Sequence, residues 1–561
     1  MVKRVTALLH REYNGLHEAA FLLAVSAVGA QILGLIRDRI FAATFGATSQ
    51  LDVYYAAFRI PDFLYVSVAS FVSVSVLIPF IVEKLTTRDH ESVKRFLSSI
   101  FAVYAAMMFL GVVCAYFAIP YLTGFVVPGF NATAQGDFIL LSRILLLSPV
   151  LLGLSSFFGS INQASRRFLN IALAPILYNA GIIIGALFFY PSMGVVGLVL
   201  GVLLGAFLHL AIQIPSVVRE RLMPERTNFQ WSADLRAVTL LSLPRTVALG
   251  AHTIVIIVLT AIASQMSEGS IAIFTFAYNL QSVPLAIVGA SYSVAAFPTL
   301  ASLFANGERR AFVDHIVTAG RHILFWSIPI ASLFIVLRAQ IVRSILGAGA
   351  FNWEATRLTA AALALFSVSV AAQSLVLLFV RGYYAAGNTR KPLLLNVVSS
   401  VGTVLLVLFF TKFLNTAGEV RFFFEALLKV EGIPGTDVLI LPLAFSVGAL
   451  ANVLFLSLAF RRDFREHYSS IRRNVLHSFG AAVIMGFVAY QALKVLDDVF
   501  DITTFVGIFL QGLGAGIAGI ATGILVLMVL ENHELRELRQ ALGRRIPGLR
   551  PFISSPDDFE R

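Results

Sequence analysis

The sequence predicts an all-α polytopic membrane protein of about fourteen transmembrane helices. They form two six-helix lobes related by a pseudo-twofold axis along the membrane normal, with two extra helices at the C-terminal end. Three observations carry this. Of the 561 residues, 58% are apolar and 13% charged, whereas an ordinary soluble domain carries about 25% charged residues. That balance excludes a soluble multidomain enzyme and a disordered chain, and with Cys114 the only cysteine it excludes a disulfide scaffold. Uncharged stretches recur at the roughly 20 residues needed to cross a bilayer, not the roughly 10-residue alternation of a β-barrel. Finally, the two halves share a repeat.

Taken in order, the spans fall near 20–45, 53–83, 96–119, 138–160, 168–189, 193–216, 237–264, 271–304, 319–346, 355–381, 391–413, 438–460, 474–494 and 503–531. The first follows Lys3, Arg4 and Arg11 as a signal peptide would. No small-residue cleavage site closes it, and it runs on into Arg37-Asp38-Arg39, so it reads as a retained span. Alternate loops then separate by charge. One set holds Lys84, Arg88, Lys94 and Arg95, then Arg166 and Arg167, Arg219 to Arg236, Arg309 and Arg310, Arg390 and Lys391, and Arg461 to Arg473. The opposite loops at 46–52, 120–137, 190–192 and 265–270 contain no Lys or Arg. The positive-inside rule therefore puts both termini in the cytoplasm. Arg338, Arg343, Lys412, Arg421, Lys429 and Lys494 are the exceptions. The net charge of +11 thus reports topology, and no nucleic-acid partner is expected.

The repeat relates Ala174-Pro175-Ile-Leu-Tyr-Asn179 to Lys391-Pro392-Leu-Leu-Leu-Asn396, both Pro and Asn shifted by 217 residues. Leu77-Ile78-Pro79-Phe80 and Ala296-Phe297-Pro298-Thr299 match at a shift of 219. Six spans per repeat give lobes of the same orientation around a central cavity, the plan of an alternating-access transporter. The division is then 1–19 cytoplasmic N-terminus, 20–218 first lobe, 219–236 cytoplasmic linker, 237–461 second lobe, 462–531 the last two helices and 532–561 a basic cytoplasmic tail. Residues 414–437 form an outer loop with an amphipathic helix over Arg421–Lys429.

Ionisable residues at membrane depth mark cavities or partners. Arg37 and Arg39 are about 200° apart on a helix and cannot share a face. One of them can line a cavity while the other pairs with Asp38 or snorkels outward; for Arg37 the readings are a cavity role or a purely structural ion pair. Arg59 and Asp62 stand at i, i+3 around Pro61, which can kink the second span; they pair with each other or meet substrate. Asp52 is a boundary residue or a partner for an arginine of the first span. Arg245 follows Pro244 in the seventh span, with His252 as a helix-contact histidine. Arginines without matching carboxylates in the second lobe favour an anionic ligand, since the guanidinium fork suits phosphate. No Walker A sequence, zinc-type His pair or nucleophile motif occurs, so neither enzyme chemistry nor a cofactor is expected.

Gly34-Leu-Ile-Arg37-Asp38, Phe45-Gly46-Ala47, Asp52, Ala57-Phe58-Arg59-Ile60-Pro61 and Pro79 resemble the opening of the MurJ/MviN lipid II flippases. Tyr278-Asn279-Leu280-Gln281, Ala296-Phe297-Pro298-Thr299-Leu300 and Arg381 to Pro392 are similar to its second half. The resemblance runs from about 20 to 460. It implies a flippase that carries the undecaprenyl-diphosphate-linked peptidoglycan precursor, lipid II, to the outer leaflet of the bacterial plasma membrane. Membrane lipids and cell-wall synthesis enzymes are the implied partners. By position, Arg37 would contact the diphosphate, with Asp38 and Asp52 as charged neighbours. Three positions depart from the family: Ala30-Gln31 replaces its Ser-Arg, Tyr65-Val66 its basic pair, and Asn279 an arginine. Arg59 and Arg245 are the expected replacements. A flippase for another polyprenyl-linked glycan, a cation-coupled drug exporter and a non-transporting scaffold are the rival readings.

Overall fold

The computed structural model describes residues 16–69, 77, 81, 90–225, 233–464 and 469–545. Among them every regular element is a helix. The N-terminal half comprises α1 (Leu16–Phe45), α2 (Ser49–Ala57), α3 (Arg59–Ala69), α4 (His90–Val126), α5 (Ala132–Leu145), α6 (Leu147–Ala164), α7 (Phe168–Ile184) and α8 (Val195–Ala211). The C-terminal half comprises α9 (Ala233–Ala263), α10 (Ser270–Pro284), α11 (Ser291–Ala305), α12 (Arg309–Val336), α13 (Arg338–Leu346), α14 (Trp353–Ser367), α15 (Val370–Ala385), α16 (Arg390–Thr416), α17 (Gly418–Leu428) and α18 (Ile440–Phe464). Then follow α19 (Ser469–Asp497), α20 (Phe505–Val529) and α21 (His533–Arg545). The residues Ile78, Pro79 and Phe80 of the second repeat match, with Lys84, Arg88, Arg226, Arg465 and the tail from 546, lie outside the described residues.

Ten helices among the described residues are long and apolar enough to cross a membrane, or eleven if α14 and α15, bent by 43°, make one span. This is fewer than the fourteen expected. The other three expected spans fall on less regular ground. α1 carries Arg37, Asp38 and Arg39; α2 and α3 are separate helices broken at Phe58; and in α9 only Gly250–Ala263 stands out as a shorter apolar helix.

The breaks have identifiable causes. Pro61 has no N–H to offer the Ala57 carbonyl, and its ring crowds the preceding turn, so the helix parts at Phe58. Pro284 ends α10, and a π-turn over Leu285–Ala290 absorbs the misfit before α11 resumes. Where helices pack closest, glycine decides. A Cβ on Gly201 of α8 would stand 2.4 Å from the Cα of Gly185, and one on Gly181 of α7 would stand 2.3 Å from the Cα of Gly205. Lipid offers no hydrophobic drive between helices, and such small-residue seams let backbones meet directly.

α19 and α20 pack on each other, and α19 lies along α12. α21 is tied to this group by a buried Glu534, which pairs with Arg321 at 2.6 Å. α17 realises the amphipathic helix expected in the outer loop. Phe422, Phe423 and Leu427 are exposed on it, while Arg421 pairs with Glu425 and Asp437.

Candidate functional site

The two halves meet along a polar seam whose members come from α1, α2 and α3 on one side and α9 and α10 on the other. Arg37 extends from α1 with its side chain 21% exposed. Its Nε and Nη2 donate to one Asp38 carboxylate oxygen at 2.9 and 2.7 Å, and Nη1 donates to the Asn179 side chain of α7 at 3.1 Å. The second oxygen of Asp38, which is buried, accepts from the Asn279 amide of α10 at 3.0 Å. Asn179, Arg37, Asp38 and Asn279 thus form one hydrogen-bonded line from the N-terminal into the C-terminal half. Arg39 points elsewhere: its Nη1 donates to the Ser344 carbonyl of α13 at 2.7 Å, and its guanidinium lies over Phe505.

Arg59, at the first turn of α3, turns toward α9 and donates to the Thr260 hydroxyl at 2.8 Å. Among the described residues no ion pair joins it to Asp62. Both line a cavity of about 280 Å³ between the halves, whose opposite wall carries His252, Tyr278 and Asn279. His252 and Tyr278 also border an adjoining space of about 370 Å³ inside the C-terminal half, where Asn452 donates to Asn396 at 3.1 Å. The repeat-related pair Asn179 and Asn396 therefore both face polar partners, one across to Arg37 and the other within its own half.

Asp52 stands apart from that line. One of its oxygens accepts the Gly269 N–H at 2.7 Å and the other the Ala272 N–H at 2.8 Å. It thereby caps the N-terminus of α10 from the opposite half, satisfying orphan donors at the positive end of the helix dipole. Gly269 sits at φ 83°, and a Cβ there would meet the Ala47 carbonyl oxygen at 2.4 Å. The same face is closed by backbone contact elsewhere. The Ala350 N–H donates to the Ala43 carbonyl at 2.9 Å, and the Gly129 N–H donates to the Ser264 hydroxyl at 3.1 Å. Beneath them Tyr55 and Phe276 pack edge to face. Along α1, Asp38 lies about 10 Å of helical rise before Phe45 at this closed face.

Of the residues expected at the site, Arg37, Asp38 and Asn279 are brought together and Arg59 reaches the neighbouring cavity. Gln31 is half-buried on α1, nearly two turns before Arg37. Arg245 belongs to α9, and its side chain lies outside the described residues. Sequence reasoning did not single out Asn179, Thr260 or Tyr278 as site residues. Asn179 carried a signal through its place in the repeat and Tyr278 through the motif it opens, whereas Thr260 carried none.

The family model described as Lipid II flippase MurJ matches residues 41–511. The chain belongs to the MurJ family. A probable lipid II flippase MurJ of Rhizobium tropici is 26% identical over 393 residues, which span 68% of this chain and 73% of that protein. A solved structure titled Lipid II flippase MurJ, inward closed conformation, matches with a TM-score of 0.69 at 22% identity, over 92% of this chain and 99% of that one. An inward-facing multidrug resistance MATE transporter of the MOP superfamily matches with a TM-score of 0.62 at 14% identity, over 79% and 96%. The structural matches speak for the fold. Membership in the MurJ family and the apolar helices together make this a multi-pass membrane protein of a transport family.

Proposed function

We propose that this MurJ-family chain carries lipid II from the cytoplasmic to the outer leaflet of the bacterial plasma membrane by alternating access. The lobes over 20–218 and 237–461 rock about the polar seam, with both termini in the cytoplasm. The observation that carries this reading is the cavity between the halves, which has Arg59 on its wall and a closed face on the side poor in loop charge. Arg59 supplies fixed positive charge and a fork of donors for the diphosphate, replacing an arginine where this chain has Asn279. Arg245 is the second cation we assign to the headgroup, on residue type and span alone. Asn279 lines the cavity and is bonded to Asp38, which pairs with Arg37; we assign Gln31 to the headgroup on its place in the first span alone, and Asp52 secures the closed face. A bound dianion moving outward follows an inside-negative potential, worth about 2.3 kcal/mol per charge per 100 mV. Cell-wall synthesis enzymes are the partners expected to receive the product.

The test is native mass spectrometry of the purified protein with lipid II, an undecaprenyl-diphosphate oligosaccharide lacking the peptide, and undecaprenyl phosphate. Wild type should prefer lipid II, and Arg59→Ala should weaken it roughly tenfold, the scale of one charge-assisted contact. Arg245→Ala should do likewise. Equal or tighter binding of the peptide-free lipid would replace this substrate with another polyprenyl-linked glycan.

A further inference from the structure

The basic residues that break the charge asymmetry of the loops are not scattered. Arg338, Lys429 and Lys494, joined by Arg357, line a single cavity of about 540 Å³ bounded by α12, α13, α14, the end of α17, α19 and α20. It lies on the closed side of the molecule, beside the helix whose Ser344 carbonyl receives Arg39, and shares no lining residue with the two spaces of the central seam. One carboxylate, Asp497, lines it too, and that group accepts from Gln511 at 3.2 Å. Among the described residues none of the four cations is in an ion pair.

Their own contacts leave them able to take more. Arg338 donates to the Leu428 carbonyl at 3.4 Å and the Ile335 carbonyl at 2.9 Å, and Arg357 donates to the Lys429 carbonyl at 3.0 Å. The guanidiniums are thus held in place by the carbonyl end of α17, with several of their five N–H donors unused by these bonds. Lys429, at φ 60° just past that end, brings its ammonium to 5.8 Å from the ring centre of Tyr490, and Lys494 brings its own to 4.8 Å. Two ammoniums on one ring, with two guanidiniums across the cavity, repel one another until an anion sits between them.

The surroundings say where the anion comes from. Trp353 is 55% and Tyr490 40% exposed, an amphipathic rim of the kind found at headgroup level. The neighbouring Phe422, Phe423 and Leu427 of α17 are exposed apolar surface. We infer that this pocket is a second anion site, which holds the phosphate headgroup of a lipid from the leaflet it faces. On the proposed orientation that is the outer leaflet; the choice of leaflet, though not the anion chemistry, rests on that reading.

The full-length protein, delipidated in detergent, would be titrated with phosphatidylglycerol and with phosphatidylcholine of the same acyl chains and followed by native mass spectrometry. A parallel series would contain inorganic phosphate. Wild type should retain phosphatidylglycerol in preference to phosphatidylcholine. The double variant Lys429→Gln, Lys494→Gln, which alters two exposed side chains, should lose roughly tenfold or more of that affinity. Arg59→Gln should leave it unchanged. Equal retention of both lipids, or an unaltered double variant, would overturn the site. Displacement by inorganic phosphate at matching concentration would overturn its lipid source. Lipid II binding on the same samples reports separately on the central seam. The leaflet is read by placing Lys494→Cys in a Cys114→Ser background. Labelling of intact cells by a membrane-impermeant maleimide is expected, and labelling only after permeabilisation would overturn the outer assignment.

Discussion

Asp38 is the residue on which the link between the halves turns. It is 2% exposed, and its two oxygens are divided between Arg37 of its own helix and Asn279 of the opposite half. Removing one partner of a buried pair leaves an uncompensated charge and costs about 3–5 kcal/mol. Arg37→Ala is therefore expected to lower the thermal unfolding midpoint in detergent sharply, with Arg37→Ala, Asp38→Asn recovering part of the loss. Equal midpoints for wild type and Arg37→Ala would mean that Asp38 is held by other groups. Charges at membrane depth made Arg37 and Asp38 legible in the sequence. Their bonding to Asn179 and Asn279 was not, because these stand 142 and 241 residues away and no local spacing encodes such a bond. The expected closeness of Arg59 and Asp62 failed to become a pair for a related reason: Thr260 of α9 offers the guanidinium an acceptor that only the tertiary structure supplies.

At the scale of elements, periodicity and length located the apolar helices and Pro61 the break in the second span, while ten or eleven of the fourteen expected spans stand out among the described residues. The remaining three fall where a charged triplet lowers the hydropathy of α1, where the chain breaks at Phe58 between α2 and α3, and on α9. The amphipathic α17 was legible because its Phe and Arg positions separate onto two faces. The glycine seam of α7 and α8 was not, since glycine contributes little to a hydropathy profile. Its consequence is testable. Gly201→Leu drives a side chain into the backbone at Gly185, where overpacking costs about 3 kcal/mol. The variant should lose the monodisperse folded fraction in size-exclusion chromatography. Gly124→Leu, where a Cβ meets nothing within 4 Å, should behave as wild type; similar behaviour of both variants would show that the seam tolerates separation.

On the scale of the whole molecule, the halves are joined by a hydrogen-bonded seam at mid-depth and by backbone contact at one face. Bonds such as these, Asp38 to Asn279 and Ala350 to Ala43, can break together and re-form, which is what a two-state transporter requires. On the proposed orientation the closed face is the outer one, and three of the six basic exceptions, Arg338, Lys429 and Lys494, line the one pocket beneath α17. If lipid II crosses the membrane through the space between the halves, the closed face must open. This requirement is tested most directly in proteoliposomes containing lipid II with a fluorescent headgroup, with a membrane-impermeant quencher added outside. The protein would carry Ala43→Cys and Ala350→Cys in a Cys114→Ser background, at positions joined across the face by the Ala350 N–H to Ala43 carbonyl bond of 2.9 Å. The account predicts protein-dependent transfer of lipid II when the cysteines are reduced, arrest when they are oxidised, and recovery on adding reductant. Transfer at the same rate in the locked protein, or none above empty vesicles with the lock open, would contradict it.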